Sequence, residues 1–413
     1  MNTLIRDAKI IDPASPWNGK KVDIRIRKGR IEEIGKALEK KNETEIRAKG
    51  LLVSPGWIDM NVQFRDPGHE YKEDLKSGLK AARAGGFTSV LHMPSTFPVM
   101  DSKASLEYLK QRSQGSGVHV YAAAALSKGC EGQELSEMFD LHDAGALMFS
   151  DVEHSVMDSG LMKKALLYAK NFNGLVCSFP QDRGLAAGTM MNEGPLSTLL
   201  GMKGSPHMAE TIHLRRDIDL LRYTESRLHV VGLSTAEGVK LVKEAKKEGL
   251  NITAEVFLSH LLWTDAQVDG YQSLYKMTPP LRTEKDRKAL IKGIQEGTID
   301  CISSQHRPED VEHKKLEFGL ANSGIALMES FFPLYQTYLS EELSLELFIQ
   351  CLSDRACKVL GQEAARIDLG REAILTCFSC TEASPITGLH SKAYNRAPLK
   401  EGMKGRVVGT VRA

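Results

Sequence analysis

Residues 227–257, RLHVVGLSTAEGVKLVKEAKKEGLNITAEVF, decide how the chain is built. RLHVVGL is an apolar run of strand length. AEGVKLVKEAKKEG then places Val239, Val242 and Ala245 on one helical face, and Gly249 stands where a left-handed cap residue ends a helix. NITAEVF returns to a strand pattern. Strand, helix and strand in so short a stretch make a βαβ unit, whose two strands lie parallel with the helix on their face.

The same alternation extends outward on both sides. Strand-like runs begin at Trp57 (WIDMNVQF), Phe87 (FTSVLH), Val118 (VHVYAAA), Ala146 (ALMF), Gly174 (GLVCS) and Asp300 (DCISS), with helical segments between them. Eight βα units within about 300 residues fit a TIM-type (β/α)8 barrel, whose sites lie at the C-terminal ends of its strands. A doubly wound open sheet is the alternative, but no GxGxxG follows the first strand. No repeat of 20–50 residues and no low-complexity tract is present.

The two ends read differently. TLIRDAKIID, VDIRIRKGRIEEIG and TEIRAKGLLV at the start, and ILTCFSC and RVVGTVRA at the finish, are strand candidates. VDIRIRKG alternates apolar and charged residues, the mark of a half-buried strand. Residues 1–54 and 364–413 are therefore expected to pair into one small β-sandwich domain, with the barrel spanning residues 55–363.

Composition excludes several classes. The chain has 413 residues, 42% hydrophobic and 26% charged, as in an ordinary globular protein. With 54 basic and 53 acidic residues the formal charge is +1, so no long-range field favours nucleic acid or an anionic membrane. No apolar run reaches the ~18 residues of a membrane span, and MNTLIRDAKIIDP has no signal-peptide pattern. A cytoplasmic, soluble protein is expected. The seven cysteines are odd in number and scattered, unlike a disulfide framework. Cys377 and Cys380 form a lone CxxC without a second pair or nearby histidines, and read as two cysteines in a strand.

PGWIDMNVQFRDPGHEYKED (55–74) resembles the first-strand signature of dihydroorotases, members of the amidohydrolase superfamily. GGFTSVLHMPSTFPVMDS resembles that family's second-strand segment, and GALMFSD, MNEG, TAEV, WTD, PPLR and a closing GxVxxT follow in the family's order. The resemblance covers nearly the whole chain. A hydantoinase-like cyclic amidohydrolase is the nearest competitor.

The resemblance implies reversible closure of a cyclic amide, interconverting carbamoyl-aspartate and dihydroorotate, with zinc lowering the pKa of bound water to about 7. It also implies where the ligands should fall. The paired first-strand histidines fall on Asn61 and Gln63, the fifth-strand histidine on Phe179, the sixth-strand histidine on Gly232 and the eighth-strand aspartate on Gln305. Only Asp151 keeps a ligand type. Phenylalanine and glycine offer no side-chain donor, and neutral amides suit zinc poorly. No catalytic residue, metal or cofactor is therefore expected, and zinc enters only under the alternative of a working enzyme.

For the substrate side, the resemblance places a carboxylate-binding arginine at Arg65, with Ser95, Thr278 and Glu309 standing where the family has asparagine, asparagine and histidine. Glu309 would repel a substrate carboxylate. The ordinary role for Arg65 is a loop arginine paired with Asp66 or Glu70. His92, His260 and His306 fall near strand ends and read as satisfied core or loop histidines. A metal-free base would be His306 with Asp151 nearby. Ser178 and Cys177 lack a nucleophile elbow or a base partner.

Relatives lacking the metal ligands serve in some bacteria as structural partners of aspartate transcarbamoylase, so the resemblance implies that role, together with a homodimer. The loops DVEHSVMDSG (151–160) and HRPEDVEHKK (306–315) are candidate docking surfaces. Two other readings stay open: a zinc-dependent dihydroorotase or related cyclic amidase, and a metal-free enzyme or small-molecule sensor around Arg65.

Overall fold

In the computed structural model, which describes residues 2–412, five strands open the chain: β1 (Thr3–Ile10), β2 (Lys21–Arg27), β3 (Arg30–Gly35), β4 (Thr44–Ile46) and β5 (Leu51–Pro55). The barrel strands follow as β6 (Trp57–Val62), β7 (Phe87–His92), β8 (His119–Ala124), β9 (Ala146–Phe149) and β10 (Val176–Ser178). A two-residue ribbon, β11 (Met191–Asn192) with β12 (Gly204–Ser205), interrupts them before β13 (Leu228–Val230), β14 (Ile252–Phe257) and β15 (Cys301–Ser303). The chain closes with β16 (Leu375–Ala383) and β17 (Lys404–Val411).

The eight expected strands are the eight of one parallel sheet, in the order β6-β7-β8-β9-β10-β13-β14-β15. The sheet nearly closes. A single parallel bridge joins Val62 to His306, and the Gln63 amide donates to the His306 carbonyl at 2.9 Å. The Asp59 carboxylate, which accepts from the Ser304 amide at 3.1 Å, adds a side-chain stitch across the same seam.

Packing explains why the outer helices stay in place. The helix Ala236–Lys247 starts at Thr235, whose hydroxyl accepts from the Gly238 amide at 2.9 Å, and it buries Val239, Leu241, Val242 and Ala245. Each large side chain so buried is worth about 1.5–3 kcal/mol. Gly249, at φ +83°, supplies the left-handed turn beyond its end.

The terminal strands form one hydrogen-bonded sheet, ordered β17-β16-β5-β1-β2-β3, that forks where β4 also pairs with β1. β2 is not half-buried. Val22, Ile24 and Ile26 enter the domain core as the alternation predicts. The opposite face is covered as well, because Asp23 pairs with Arg6 at 2.9 Å and Arg25 with Glu43 at 3.0 Å beneath the segment that carries β4. The barrel and the terminal sheet meet around Trp57, whose ring packs on Phe332, Phe348 and Phe378 and whose Nε1 donates to the Ser54 hydroxyl.

One segment lies elsewhere than its assignment to the small domain suggests. Between β16 and β17 the chain leaves the sheet and crosses the barrel, where Arg396 bridges Ala326 and the Tyr394 amide donates to the Glu309 carbonyl at 2.8 Å. Its polar sequence carried no periodicity to mark that long-range contact. Cys377 and Cys380 both lie in β16, and all seven cysteines are free. Among the described residues no helix is long and apolar enough to cross a membrane.

Candidate functional site at the barrel mouth

The loops that follow the strands put the expected residues at the mouth. Asn61 is buried in β6, and its Nδ2 donates to Glu255 at 3.3 Å while its Oδ1 has no partner. Gln63, two residues on, points to a different carboxylate, Glu153, at 2.7 Å. Gln305 has φ +49° and directs its Nε2 to the Thr278 carbonyl at 2.6 Å. The Asp151 carboxylate accepts from the backbone and hydroxyl of Ser127. Burial raises its pKa, and the Ser127 bonds only partly oppose that shift.

The remaining two positions are filled by hydrocarbon. Gly232 sits at φ +69°, and a Cβ built there would lie 2.7 and 2.9 Å from the Phe257 ring and 3.3 Å from that of Phe179. No side chain at position 232 could reach into the barrel without moving Phe257. Among the six positions, the polar side chains therefore aim at four separate partners and none hydrogen-bonds another. Their donors are three neutral or singly engaged groups and one carboxylate already committed to Ser127, so the set does not fit a zinc ion. Among the described residues, one trio could bring His, Cys, Asp or Glu ligand atoms within 4.8 Å of each other: Glu309, Asp310 and His313. Glu309 is otherwise engaged.

Arg65 does not pair with Asp66 or Glu70. Its Nη2 donates to Glu309 at 3.2 Å, and Lys72 Nζ donates to the same carboxylate at 2.6 Å. Asn322 adds a third donor at 3.0 Å. Asp66 instead accepts from Tyr108 and the Leu75 amide, and Glu70 from the Gly68 amide. Burial, with Arg307 beside it, lowers the Arg65 pKa to about 10. Burial would raise that of Glu309, but Lys72, Arg65 and Asn322 outweigh it and hold the group ionised below its ordinary value. The Glu309 expected to repel a carboxylate thus acts as one: it occupies the cationic pocket from within. Ser95 leaves its hydroxyl unpartnered nearby in sequence to the second strand's end, and Thr278 contributes only its backbone.

His306 finds a partner other than Asp151. Its Nε2 lies 3.3 Å from Glu73, a carboxylate that also accepts from the Ser391 hydroxyl at 2.6 Å and the Lys392 amide at 3.0 Å. The segment between β16 and β17 is thereby strapped over the mouth, and Asn395 fastens it with bonds to the Arg307 and Gly324 carbonyls and the Glu309 amide. His92 and His260 are core histidines, each with a ring nitrogen on a backbone carbonyl and a pKa lowered to about 4 by burial. Ser178 donates to Asp217, a carboxylate that also lies 3.5 Å from the His213 ring and pairs with Arg216, so the hydroxyl faces an acid and not a histidine nitrogen, and burial pushes the Cys177 thiol far up.

Sequence reasoning missed Glu255, Glu153, Glu73 and Lys72. Glu255 had a readable signal, because Thr253, Glu255 and Phe257 share one parity in β14 while Ala254 and Val256 face the outer core. Inside the barrel Glu255 lies 3.6 Å from the His229 ring and beside Asp59, whose pKa burial raises to about 6.

Comparison with known proteins agrees with this architecture. A family profile described as "Dihydro-orotase-like" matches residues 50–238. A dihydroorotase of Acetivibrio thermocellus is 40% identical over 382 residues, covering 92% of this chain and 89% of its own. One of Geobacter metallireducens is 39% identical over 100% of this chain and 98% of its own. Among solved structures, an L-hydantoinase (dihydropyrimidinase) from Arthrobacter aurescens superposes with a TM-score of 0.82 over 100% of this chain and 94% of its own at 19% identity, a likeness of fold. With two-fifths of its residues shared along almost its full length, the chain belongs to the dihydroorotase family.

Proposed function

We propose that this chain is a non-catalytic member of the dihydroorotase family in pyrimidine biosynthesis, acting as a structural or regulatory partner of aspartate transcarbamoylase. The observation that carries the reading is the filled space at Gly232, where the rings of Phe257 and Phe179 leave no room for a metal-binding side chain. Amide hydrolysis without a Lewis acid needs another activated nucleophile, and neither Ser178 nor Cys177 is paired with a histidine base. The fold persists around the lost site because a barrel's surface can serve after its chemistry is gone. The two loops expected to dock a partner are tied to each other at the mouth by the Arg307–Glu153 pair at 3.0 Å, which supports a fixed docking face.

A working zinc enzyme is the second reading, favoured by the relatives' name, dihydroorotase. Elemental analysis of protein purified without added metal separates the two. We expect well below one equivalent of zinc per chain and no chelator-sensitive conversion of dihydroorotate. One or two tightly held equivalents with turnover would overturn the non-catalytic reading. The partner role is tested apart from it, by co-purification with aspartate transcarbamoylase and the mass of the complex. A chain that stays a free homodimer beside that enzyme would remove the partner role.

A further inference from the structure

A cleft of about 950 Å³ opens at the end of the barrel opposite the mouth. Pro55, the last residue of β5 and two positions before β6 begins, lies in its wall, so the cleft faces the N-terminal ends of the strands, at the seam between the barrel and the terminal sheet. Its apolar lining comes from Ile11, Pro13, Ile349 and Ile374.

Charge accounting makes the cleft unusual. Of its four acids, Asp354 is paired with Lys358 at 2.8 Å and Glu363 with Arg371 at 3.3 Å. Asp12 is buried and accepts from the Ile367 and Ala14 amides at 2.9 and 3.1 Å. That leaves Glu372 unengaged against three guanidinium groups that, among the described residues, have no carboxylate within 4.0 Å. Arg30 donates to the Gly370 carbonyl, Arg355 to the carbonyls of Ile294 and Ile299 and to the Cys351 sulfur, and among the described residues the Arg366 side chain makes no hydrogen bond.

We propose that this cleft binds a small phosphorylated molecule with a flat ring, of the nucleotide class. Its volume suits such a ligand, and domain seams are where ligand sites concentrate. Guanidinium groups match phosphate oxygens with paired donors, while the isoleucine and proline side chains offer a surface for the ring. The inference does not depend on the non-catalytic reading, since the cleft is at the other end of the barrel from the mouth.

The test uses the full chain and titration calorimetry with UTP and ATP, beside uridine and inorganic pyrophosphate. We expect a nucleoside triphosphate to bind, uridine not to, and pyrophosphate to bind more weakly. Arg366→Ala, at an exposed position, should weaken binding at least about tenfold, and Ser95→Ala at the mouth should leave it unchanged. A Arg30→Ala variant provides an independent second loss. Absence of binding, or equal binding by the wild type and both arginine variants, would overturn the proposal. Pyrophosphate binding as tightly as the nucleotides would overturn the role given to the apolar lining.

Discussion

Glu309→Ala empties the cationic pocket at the mouth, and its cost can be worked from the contacts it breaks. The Glu309 side chain is 2% exposed and its partners Arg65 and Lys72 are 9% and 10% exposed, so solvent screens these ion pairs little. Removing one partner of such a buried arrangement leaves uncompensated charge and costs about 3–5 kcal/mol. Unfolding entropy near 2.1 cal/mol/K per residue then turns ~4 kcal/mol, over this chain's length, into a melting temperature lower by roughly 5 °C. The assay is scanning calorimetry of wild type, Glu309→Ala and Glu309→Gln in low salt, repeated with propionate. Propionate should raise the melting temperature of the alanine variant only, because only there is a carboxylate site vacant. At about a hundredfold excess over its dissociation constant it would return roughly 2.7 kcal/mol. An alanine variant that melts within about 1 °C of wild type, or propionate acting equally on both, would refute the idea that Glu309 fills a carboxylate site.

Two further outcomes are expected. Gly232→His should not gain zinc by elemental analysis, and denaturant melts should show a loss of roughly 2–5 kcal/mol from the left-handed backbone and the collision with Phe257. Asp59 carries a pKa raised by burial to about 6, above its ordinary value of 3.8, so the protonated form is the one the fold favours. Its contribution is fully present below about pH 4 and is lost as pH rises through 6, on the order of 3 kcal/mol. Urea midpoints taken between pH 4 and 7 should therefore fall less steeply in Asp59→Asn than in the wild type, and parallel slopes would rule this out. Glu309 and Glu73, whose pKa values are depressed, act in the opposite sense, with stability lost only as pH falls below the ordinary glutamate range.

What the sequence made legible was periodic. Runs such as FTSVLH and NITAEVF carry their strand identity in consecutive residues, and all eight barrel strands were readable for that reason. The residue types at Asn61, Gln63, Phe179, Gly232 and Gln305 are equally legible, and the reading of them as vanished ligands belongs to the proposal. Partnership was not. Arg65 and Glu309 are 244 positions apart, and the sign of Glu309 was readable while its partner was not. His306 was matched with Asp151 because both stand at strand ends, yet Glu73, in the loop just before a helix capped by Asp74, takes it. The buried salt bridges on the outer face of β2 escaped for the same reason: alternation describes a strand and says nothing of what later chain lies over it.

The strap over the mouth sets an order on biosynthesis. Glu73 and Glu309 emerge early from the ribosome, but the Ser391, Lys392 and Asn395 groups that meet them come within the last two dozen residues. β5 likewise awaits β16 on one side. A nascent chain can assemble its strands in sequence and still hold an open, unsatisfied end until translation is nearly done, so premature termination anywhere before residue 391 would release a barrel uncovered at the mouth and open there to proteases.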